Sequence, residues 1–221
     1  NRLSNFSKKI FSEFDLCLSS SKESLEYLKK LNFKNVKFIG NLKYSQAELE
    51  NFNINKNLRK FLSKKKSWCA SSTHYPEELF IAKTHKILKV KIKNLITIII
   101  PRHVERYKSI KNDLEKLNLK VHLDNSNKKI DPSTDIYLVN SYGKTKSFYK
   151  ICNNIFLGGS LIEHGGQNPL EAARYGCSIL NGPNVQNFSE IYQFLKKNNI
   201  STTVKKNQEL PHKLNILIYK K

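Results

Sequence analysis

The sequence predicts an α/β protein built on a parallel sheet with flanking helices. Short apolar runs of strand length alternate along the chain with polar stretches of helix length, a pattern typical of parallel sheets. One run, Leu95–Ile100, is apolar except for Thr97, as expected of a strand buried on both faces. Several runs are followed at once by small, polar or basic residues, which indicates a Rossmann-like sheet whose strand ends meet at one ligand-binding edge.

The individual elements follow from this alternation. The predicted strands are Phe14–Leu18, Val36–Ile39, Trp68–Ala70, Leu95–Ile100, Val121–Leu123, Ile136–Val139, Ile155–Leu157 and Ser178–Leu180. The predicted helices cover residues 21–31, 47–63, 77–90, 104–117, 145–152, 169–175 and 187–197. A final helix is not evident after Ile200.

The chain is interpreted as two parts. Residues 1–45 are predicted to be the end of a preceding α/β domain and a crossover linker, since two short strands and a helix precede Gly40. After an Asn- and Lys-rich stretch, the main domain is expected to span residues 56–221. The chain begins at Asn1 and contains no Met, so we expect it to be a fragment of a longer protein.

The chain is strongly basic, with a formal net charge of +21 from 39 basic and 18 acidic residues. Only five of the basic residues are Arg, and Lys is scattered along the chain among abundant Asn and Ile. Two explanations stay open, a lysine-rich compositional bias or attraction to an anionic membrane or ligand. Proteins that read nucleic acid favour Arg for bidentate contacts, so we expect no nucleic-acid partner.

Cysteine usage and hydropathy favour a cytoplasmic protein. The four cysteines are widely spaced and form no CxxC pair, which predicts reduced core residues and neither a disulfide frame nor a zinc site. No apolar run approaches the length of a membrane-spanning helix, and no signal peptide is visible.

The most informative segment is Gly158–Glu171, which reads GGSLIEHGGQNPLE. Its glycines allow backbone to approach a ligand closely. Asn168 is a good helix N-cap, Pro169 suits the first helical position, and Glu171 would then occupy the capping-box position. A strand, a glycine-lined loop and an exposed helix start together predict a site for an anion such as phosphate.

Other residues at predicted strand ends have two interpretations each. Arg102 follows a buried strand and either clamps a phosphate or pairs with Glu105 on the next helix. Glu171 either caps its helix or accepts hydrogen bonds from the hydroxyls of a ribose. His74, His103 and His164 lack metal-binding spacing, so hydrogen bonding to a substrate is favoured over metal coordination. We therefore expect no metal.

Two nucleotide-binding motifs are excluded. The segment Tyr142-Gly143-Lys144-Thr145 resembles the end of a phosphate-binding P-loop, but Leu138 stands where that motif requires glycine. An NTPase is therefore not expected. The GxGxxG pattern is also absent, which argues against a dinucleotide cofactor.

The strand-end motifs, taken in order, resemble the C-terminal half of the bacterial 3-deoxy-D-manno-octulosonic acid (Kdo) transferases, which are GT-B glycosyltransferases. The motifs are Gly40-Asn41-Leu42-Lys43, Ala70-Ser71-Ser72-Thr73-His74 with Glu77-Glu78, Pro101-Arg102-His103 with Glu105-Arg106, Gly143 with Phe148-Tyr149, Gly158-Gly159-Ser160, His164–Glu171, Gly182-Pro183, Asn187-Phe188 and Glu190-Ile191. One such piece is weak, whereas the ordered set is specific.

This resemblance implies an inverting transferase that moves Kdo from CMP-Kdo to a lipid A precursor in lipopolysaccharide biosynthesis, without a cofactor. It implies a location on the cytoplasmic face of the cell inner membrane, against an anionic membrane surface. In the family the general-base glutamate and the membrane anchor belong to the N-terminal domain. No catalytic residue is therefore assigned in this chain.

By resemblance, the donor-binding residues are Pro101, Arg102, Tyr142, Gly143, Lys144, Gly158, Gly159, Ser160, Asn168, Pro169, Leu170 and Glu171. Arg102 and the backbone at Asn168 would stabilise charge on the departing phosphate, Glu171 would hold the ribose, and Gly158 and Gly159 would admit the donor. Asn140 and Lys144 stand where the family usually has acidic residues, and Lys144 could instead contact phosphate.

Two alternative functions stay open. One is a GT-B glycosyltransferase that uses a nucleoside diphosphate sugar, and the other is a basic nucleic-acid-binding protein.

Overall fold

The structure is a computed structural model that describes residues 2–40 and 55–219. It forms two compact units, one within residues 1–48 and the other within residues 49–221. Asn41–Lys43 and residues 47–54 of a predicted helix lie outside the described residues.

The first unit contains two helices and a two-stranded parallel sheet. Helix α1 spans Arg2–Ser12, strand β1 Cys17–Ser19, helix α2 Lys22–Lys30 and strand β2 Val36–Phe38. The side chain of Ser21 caps α2 by accepting a hydrogen bond from the Ser24 amide at 3.1 Å. Strand β1 begins three residues after the predicted start, and α1 was not predicted.

The second unit is organised around a seven-stranded sheet in the order β5-β6-β4-β3-β7-β8-β9, in which all neighbouring strands are parallel. The predicted α/β fold with a parallel sheet and flanking helices is confirmed. The strands are β3 Lys66–Thr73, β4 Leu95–Pro101, β5 Val121–Leu123, β6 Ile136–Leu138, β7 Asn154–Leu157, β8 Ser178–Asn181 and β9 Ser201–Thr203.

Helices cover both faces of this sheet. They are α3 Lys56–Leu62, α4 Glu77–Lys91, α5 Tyr107–Lys116, α6 Thr145–Tyr149, α7 Leu170–Arg174, α8 Ser189–Lys197 and α9 Leu210–Tyr219. None of the helices in the described part of the chain has the length and apolar character needed to cross a membrane.

Alternation along β4 divides the core into two layers. Ile96, Ile98 and Ile100 pack into a cluster with residues of α3, α6, α7 and α8. Leu95 and Ile99 pack into a second cluster with residues of α4, α5 and α9. Every residue of β4 is buried, as expected of a central strand with helices on both sides.

The strand order places a topological switch point between β3 and β7. The chain runs from β3 outward through β4 to the β5 edge and then returns to β7 on the other side of β3. In open parallel sheets, ligands bind in the crevice outside the carboxyl ends of the strands at such a point. The fold therefore locates a binding cleft near the ends of β3 and β7.

Several boundaries differ from the prediction, and two elements of this unit were not predicted. Strand β3 continues through Thr73, because Ser71 and Thr73 still pair with β4 across a bulge at Ser72. Strand β9 was not predicted, since its sequence is short and polar. Helix α9 was also not predicted, although Pro211 occupies its second position, where a missing N–H costs no helical bond.

Candidate functional site

An open cavity of about 250 Å³ lies at the switch point. It is bounded by the ends of β3 and β7, the residue after β4, the start of α6 and the segment that leads into α7. The residues that line it are Ser72, Arg102, Thr145, Tyr149, Leu157, Gln167, Asn168 and Glu171. Arg102, Asn168 and Glu171, three of the predicted donor-binding residues, thus share one cavity.

A bulge at the end of β3 shapes one wall. Ser72 has a backbone φ of 55°, which lies in the left-handed region and is uncommon for a residue other than glycine. On its N-terminal side, the hydroxyl groups of Ser71 and Tyr149 are 2.8 Å apart in the core. This hydrogen bond ties the bulge to α6, so Ser72 and Tyr149 line the cavity as a fixed pair.

Arg102 supplies a cation to the cavity wall. Its amide donates to the carbonyl of Thr73 at 3.0 Å, which fixes the backbone beside the bulge. Glu105 contacts His103 at 3.5 Å and accepts a hydrogen bond from the Tyr142 hydroxyl at 3.0 Å. Among the residues that the structure describes, no carboxylate pairs with Arg102 within 4.0 Å. The alternative of an Arg102–Glu105 ion pair is therefore wrong.

The helix that follows the glycine-rich loop starts later than predicted. Helix α7 begins at Leu170, with Pro169 in the capping position, so Glu171 does not occupy the capping-box position. The Asn168 side chain still accepts a hydrogen bond from the Leu170 amide at 3.1 Å. Glu171 lies in the cavity wall, with Oε1 3.9 Å from Nζ of Lys146.

The first glycine of the loop is required by packing inside the protein. A Cβ atom at Gly158 would lie 2.5 Å from the carbonyl oxygen of Ser72 and 2.6 Å from Cα of Thr73. Ser160 is wholly buried, accepts a hydrogen bond from the Gly182 amide at 2.8 Å and donates to the carbonyl of Leu157. These contacts give Gly158 and Ser160 structural roles in the turn, and their contact with the donor stays a prediction.

The remaining predicted residues differ in their distance from the cavity. Tyr142, Gly143 and Lys144 are exposed and lie outside its wall, which Thr145 and Tyr149 form at this side. Pro101, Pro169 and Leu170 are buried and do not line it. Gly159 has a φ of +64° and lies within the turn. A role for these residues in donor binding stays a prediction.

Glu77, at the start of α4, organises the loop, and it was not among the predicted site residues. Its side chain is fully buried, and its two carboxylate oxygens accept four backbone hydrogen bonds. Burial raises the pKa of Glu77, and the four amide donors oppose that rise. The amides are those of His74 at 3.0 Å, Gly159 at 2.7 Å, Ser160 at 3.1 Å and Leu161 at 3.0 Å.

Glu78 supports the same region from the next position. It accepts a hydrogen bond from the Thr73 hydroxyl at 3.0 Å and a forked pair from Arg106 at 3.1 and 3.3 Å. The sequence feature that could have identified Glu77 and Glu78 is a pair of adjacent acidic residues shortly after a strand end. Their role depends on amides distant in sequence, which the sequence alone does not bring together.

The three histidines at strand ends lie beside this cavity. The ring centroids of His74 and His164 are 4.0 Å apart, and those of His74 and His103 are 5.6 Å apart. Burial, followed by the neighbouring histidines and arginines, lowers the pKa of His74 to about 4. We call these three residues the histidine cluster. No group of His, Cys, Asp and Glu within residues 2–40 and 55–219 has an arrangement that could hold a metal ion.

A parallel sheet with a polar cavity at its switch point is the architecture of a GT-B glycosyltransferase domain. The structure of Staphylococcus aureus MnaA with UDP has this fold, with a TM-score of 0.59 at 14% identity over 96% of this chain and 52% of that chain. At this identity, the similarity concerns the fold alone.

Closer similarity identifies the family. The crystal structure of the C-terminal CMP-Kdo binding domain of WaaA from Acinetobacter baumannii has a TM-score of 0.68 at 28% identity, covering 73% of this chain and 84% of that chain. The Haemophilus influenzae 3-deoxy-D-manno-octulosonic acid transferase is 35% identical over 128 residues, 58% of this chain and 30% of that protein. The Rickettsia conorii transferase is 30% identical over 199 residues, 90% of this chain and 43% of that protein.

The predicted resemblance is confirmed, and the chain belongs to the Kdo transferase family. It spans less than half of the length of these two relatives. No protein-family model matches the chain.

Proposed function

We propose that this chain is the donor-binding part of a Kdo transferase and that its cavity binds CMP-Kdo. The whole protein would transfer Kdo to a lipid A precursor in lipopolysaccharide biosynthesis. The observation that carries the proposal is the meeting of Arg102, Asn168 and Glu171 around one cavity at the switch point. Homology to Kdo transferases and to a CMP-Kdo binding domain supports the choice of donor.

The chemistry of the cavity suits a nucleoside monophosphate. Negative charge builds up on the phosphate oxygens as the bond to the sugar breaks, and Arg102 offers a guanidinium that can donate two hydrogen bonds to them. The Leu170 amide already donates to Asn168, so Arg102 carries more of the proposed phosphate binding than the helix start does. The Glu171 carboxylate would accept hydrogen bonds from the ribose hydroxyls.

The proposal assigns no general base to the described residues. Glu77 and Glu78 are buried and engaged with amides, a hydroxyl and a guanidinium, so neither is available to remove a proton from an acceptor. The base is proposed to come from a domain outside this chain, as the resemblance implies.

We further propose that the protein works at the cytoplasmic face of the inner membrane. The net charge of +21 supports contact with an anionic lipid surface, where the acceptor would be located.

Isothermal titration calorimetry of the full-length protein with CMP, UDP and single-stranded DNA tests the proposal. Binding of CMP in preference to UDP is the expected result. Preference for UDP would instead favour a glycosyltransferase that uses a nucleoside diphosphate sugar. Tight DNA binding with a steep dependence on salt would favour a nucleic-acid-binding protein, although the homology does not support either alternative.

A further inference from the structure

The histidine cluster gathers three imidazoles from three separate segments. His74 follows the end of β3, His103 follows β4, and His164 belongs to the glycine-rich loop. A substituent at Gly159 would meet His164 at 3.2 Å and His74 at 3.4 Å, so the glycine lets the rings approach the loop backbone. The close packing of His74 and His164 therefore depends on a glycine in this turn.

The acidic residues around the cluster already have partners. The Glu77 carboxylate accepts four backbone amides, and Glu78 binds Arg106 in a forked pair. Arg102 has no carboxylate partner within 4.0 Å in the described part of the chain. Among the described residues, His103 is the only member of the cluster whose ring lies within 4.0 Å of a carboxylate, that of Glu105. Both of these side chains are more than half exposed. The region therefore contains more hydrogen-bond donors and cationic groups than carboxylates that could pair with them.

The cluster is continuous with the cavity. Gln167 lines the cavity, and its Nε2 lies 3.4 Å from Nε2 of His74. Arg102 lines the cavity as well and is followed in sequence by His103. A ligand held by Arg102 therefore has the imidazoles next to it.

We propose that the histidine cluster is the subsite for the carboxylate of the acidic sugar, and that it selects this sugar over a neutral one. The inference rests on the proposed function. In a 2-ulosonic acid the carboxylate is attached to the anomeric carbon, the same carbon that carries the phosphate in the donor. The donor thus presents two anions side by side, and the protein presents Arg102 and the imidazoles side by side. Imidazole N–H groups suit a carboxylate, whereas a neutral hexose would leave them without an anion.

The test compares two affinities of the full-length protein, those for CMP and for CMP-Kdo, by calorimetry. Their ratio isolates the contribution of the sugar. His164 is exposed, so His164→Ala removes one imidazole with little risk to folding. A charge-assisted hydrogen bond is lost, so we expect the preference for CMP-Kdo to fall about tenfold while CMP affinity changes less than about twofold. His212→Ala, at an exposed position on α9, is the matched control and should change neither value.

A dependence on pH gives a second readout that simple loss of packing would not produce. His74 has a lowered pKa, so it is neutral near pH 7, and an adjacent carboxylate would raise its pKa and draw in a proton. The preference for CMP-Kdo over CMP should therefore increase as the pH falls from 8 to 6, and His74→Gln should flatten this increase. The charged or polar groups around His74 are Glu77, Glu78, Arg102, His103, Arg106, His164 and Gln167.

The outcomes separate this inference from the proposed function. A wild-type protein that does not bind CMP would contradict both. A wild type that binds CMP, together with a His164→Ala variant whose preference for CMP-Kdo is unchanged, would contradict the carboxylate subsite alone. A wild-type preference for CMP-Kdo that does not increase between pH 8 and pH 6 would also count against it.

Discussion

Arg102 and Glu171 place opposite charges on the wall of one cavity, and each has neighbours that limit its alternative roles. Arg102 lacks a carboxylate partner within 4.0 Å in the described part of the chain. Oε1 of Glu171 lies 3.9 Å from Nζ of Lys146, and both side chains are about one-third or more exposed. An ion pair this long and this exposed contributes little to stability. Arg102 is therefore available to a ligand in the cavity, and the role of Glu171 in ribose binding stays a prediction.

Replacement of Arg102 by Ala should weaken CMP binding about tenfold, because a charge-assisted contact to phosphate contributes about 1.5–3 kcal/mol. Calorimetry of the full-length protein gives the two dissociation constants. Arg59→Ala is the matched control, since Arg59 is an exposed arginine on α3. An Arg102→Ala variant with wild-type CMP affinity would show that this guanidinium is a surface group.

Replacement of Glu171 by Gln should impair CMP binding about fivefold while changing the melting temperature by less than about 3 °C. The amide is a poorer acceptor for ribose hydroxyls, whereas loss of the exposed pair with Lys146 costs less than about 1 kcal/mol. Titration calorimetry and thermal unfolding measure the two effects. Glu115→Gln, which breaks an exposed pair with Lys111, should change neither. A large melting shift with normal CMP binding would assign Glu171 a structural role.

The turn after β7 depends on Gly158, because the backbone of β3 leaves no room for a side chain there. Gly158→Ala should lower the free energy of unfolding by about 3 kcal/mol, since the added carbon would overlap backbone atoms of Ser72 and Thr73. Gly176→Ala is the comparison, because Gly176 has a φ of +74° and open space around it. It should cost only about 1 kcal/mol of backbone strain. Urea unfolding gives both values, and equal costs would contradict the close approach.

The contact between α4 and the glycine-rich loop depends on Glu77. Glu77→Gln should destabilise the protein by about 3 kcal/mol, because an amide can accept on one side only and leaves two buried N–H donors facing an NH₂ group. Denaturant unfolding measures the cost. Glu209→Gln, which affects a partly exposed pair with Lys213, is expected to cost much less. If the two substitutions cost the same, Glu77 does not hold the loop as described.

At the level of elements, the hydrophobic periodicity of the sequence predicted those elements whose side chains are buried in the core. The strand at Leu95–Pro101 was found because both its faces are apolar, whereas the strand at Ser201–Thr203 has no apolar side chains and was missed. The start of α7 was placed too early because Asn168 still accepts an amide hydrogen bond outside the helix. A local pattern shows which segments are buried but resolves boundaries less well.

The same limit applies to the site. Arg102 was recognisable because it follows a buried strand, and the structure places it on the cavity wall. Tyr149 was not predicted to line the cavity, since a tyrosine next to Phe148 resembles a core residue. The structural role of Ser160 was not predicted, since its partner Gly182 lies 22 residues away. Contacts of that separation depend on the strand order, which a single sequence does not reveal.

At the scale of the whole molecule, the excess of lysine has two explanations with different consequences. A compositional bias gives exposed lysines with no common partner, and binding to surfaces would then follow net charge weakly. A membrane-associated transferase would use the same charge to stay near anionic lipids, each Lys close to the surface contributing about 1 kcal/mol. The net charge of +21 is compatible with both.

Co-sedimentation with lipid vesicles distinguishes these explanations. We expect the full-length protein to sediment with vesicles that contain an anionic phospholipid and much less with vesicles of a neutral one, because the lysines are attracted to the negative surface potential. Raising the salt from 0.1 to 0.5 M should release it, since screening shortens the range of this attraction. A control protein of similar size and positive charge without a membrane function reports the contribution of charge alone. Equal sedimentation of the two proteins would leave lysine content as a property of composition and would contradict the proposed membrane association.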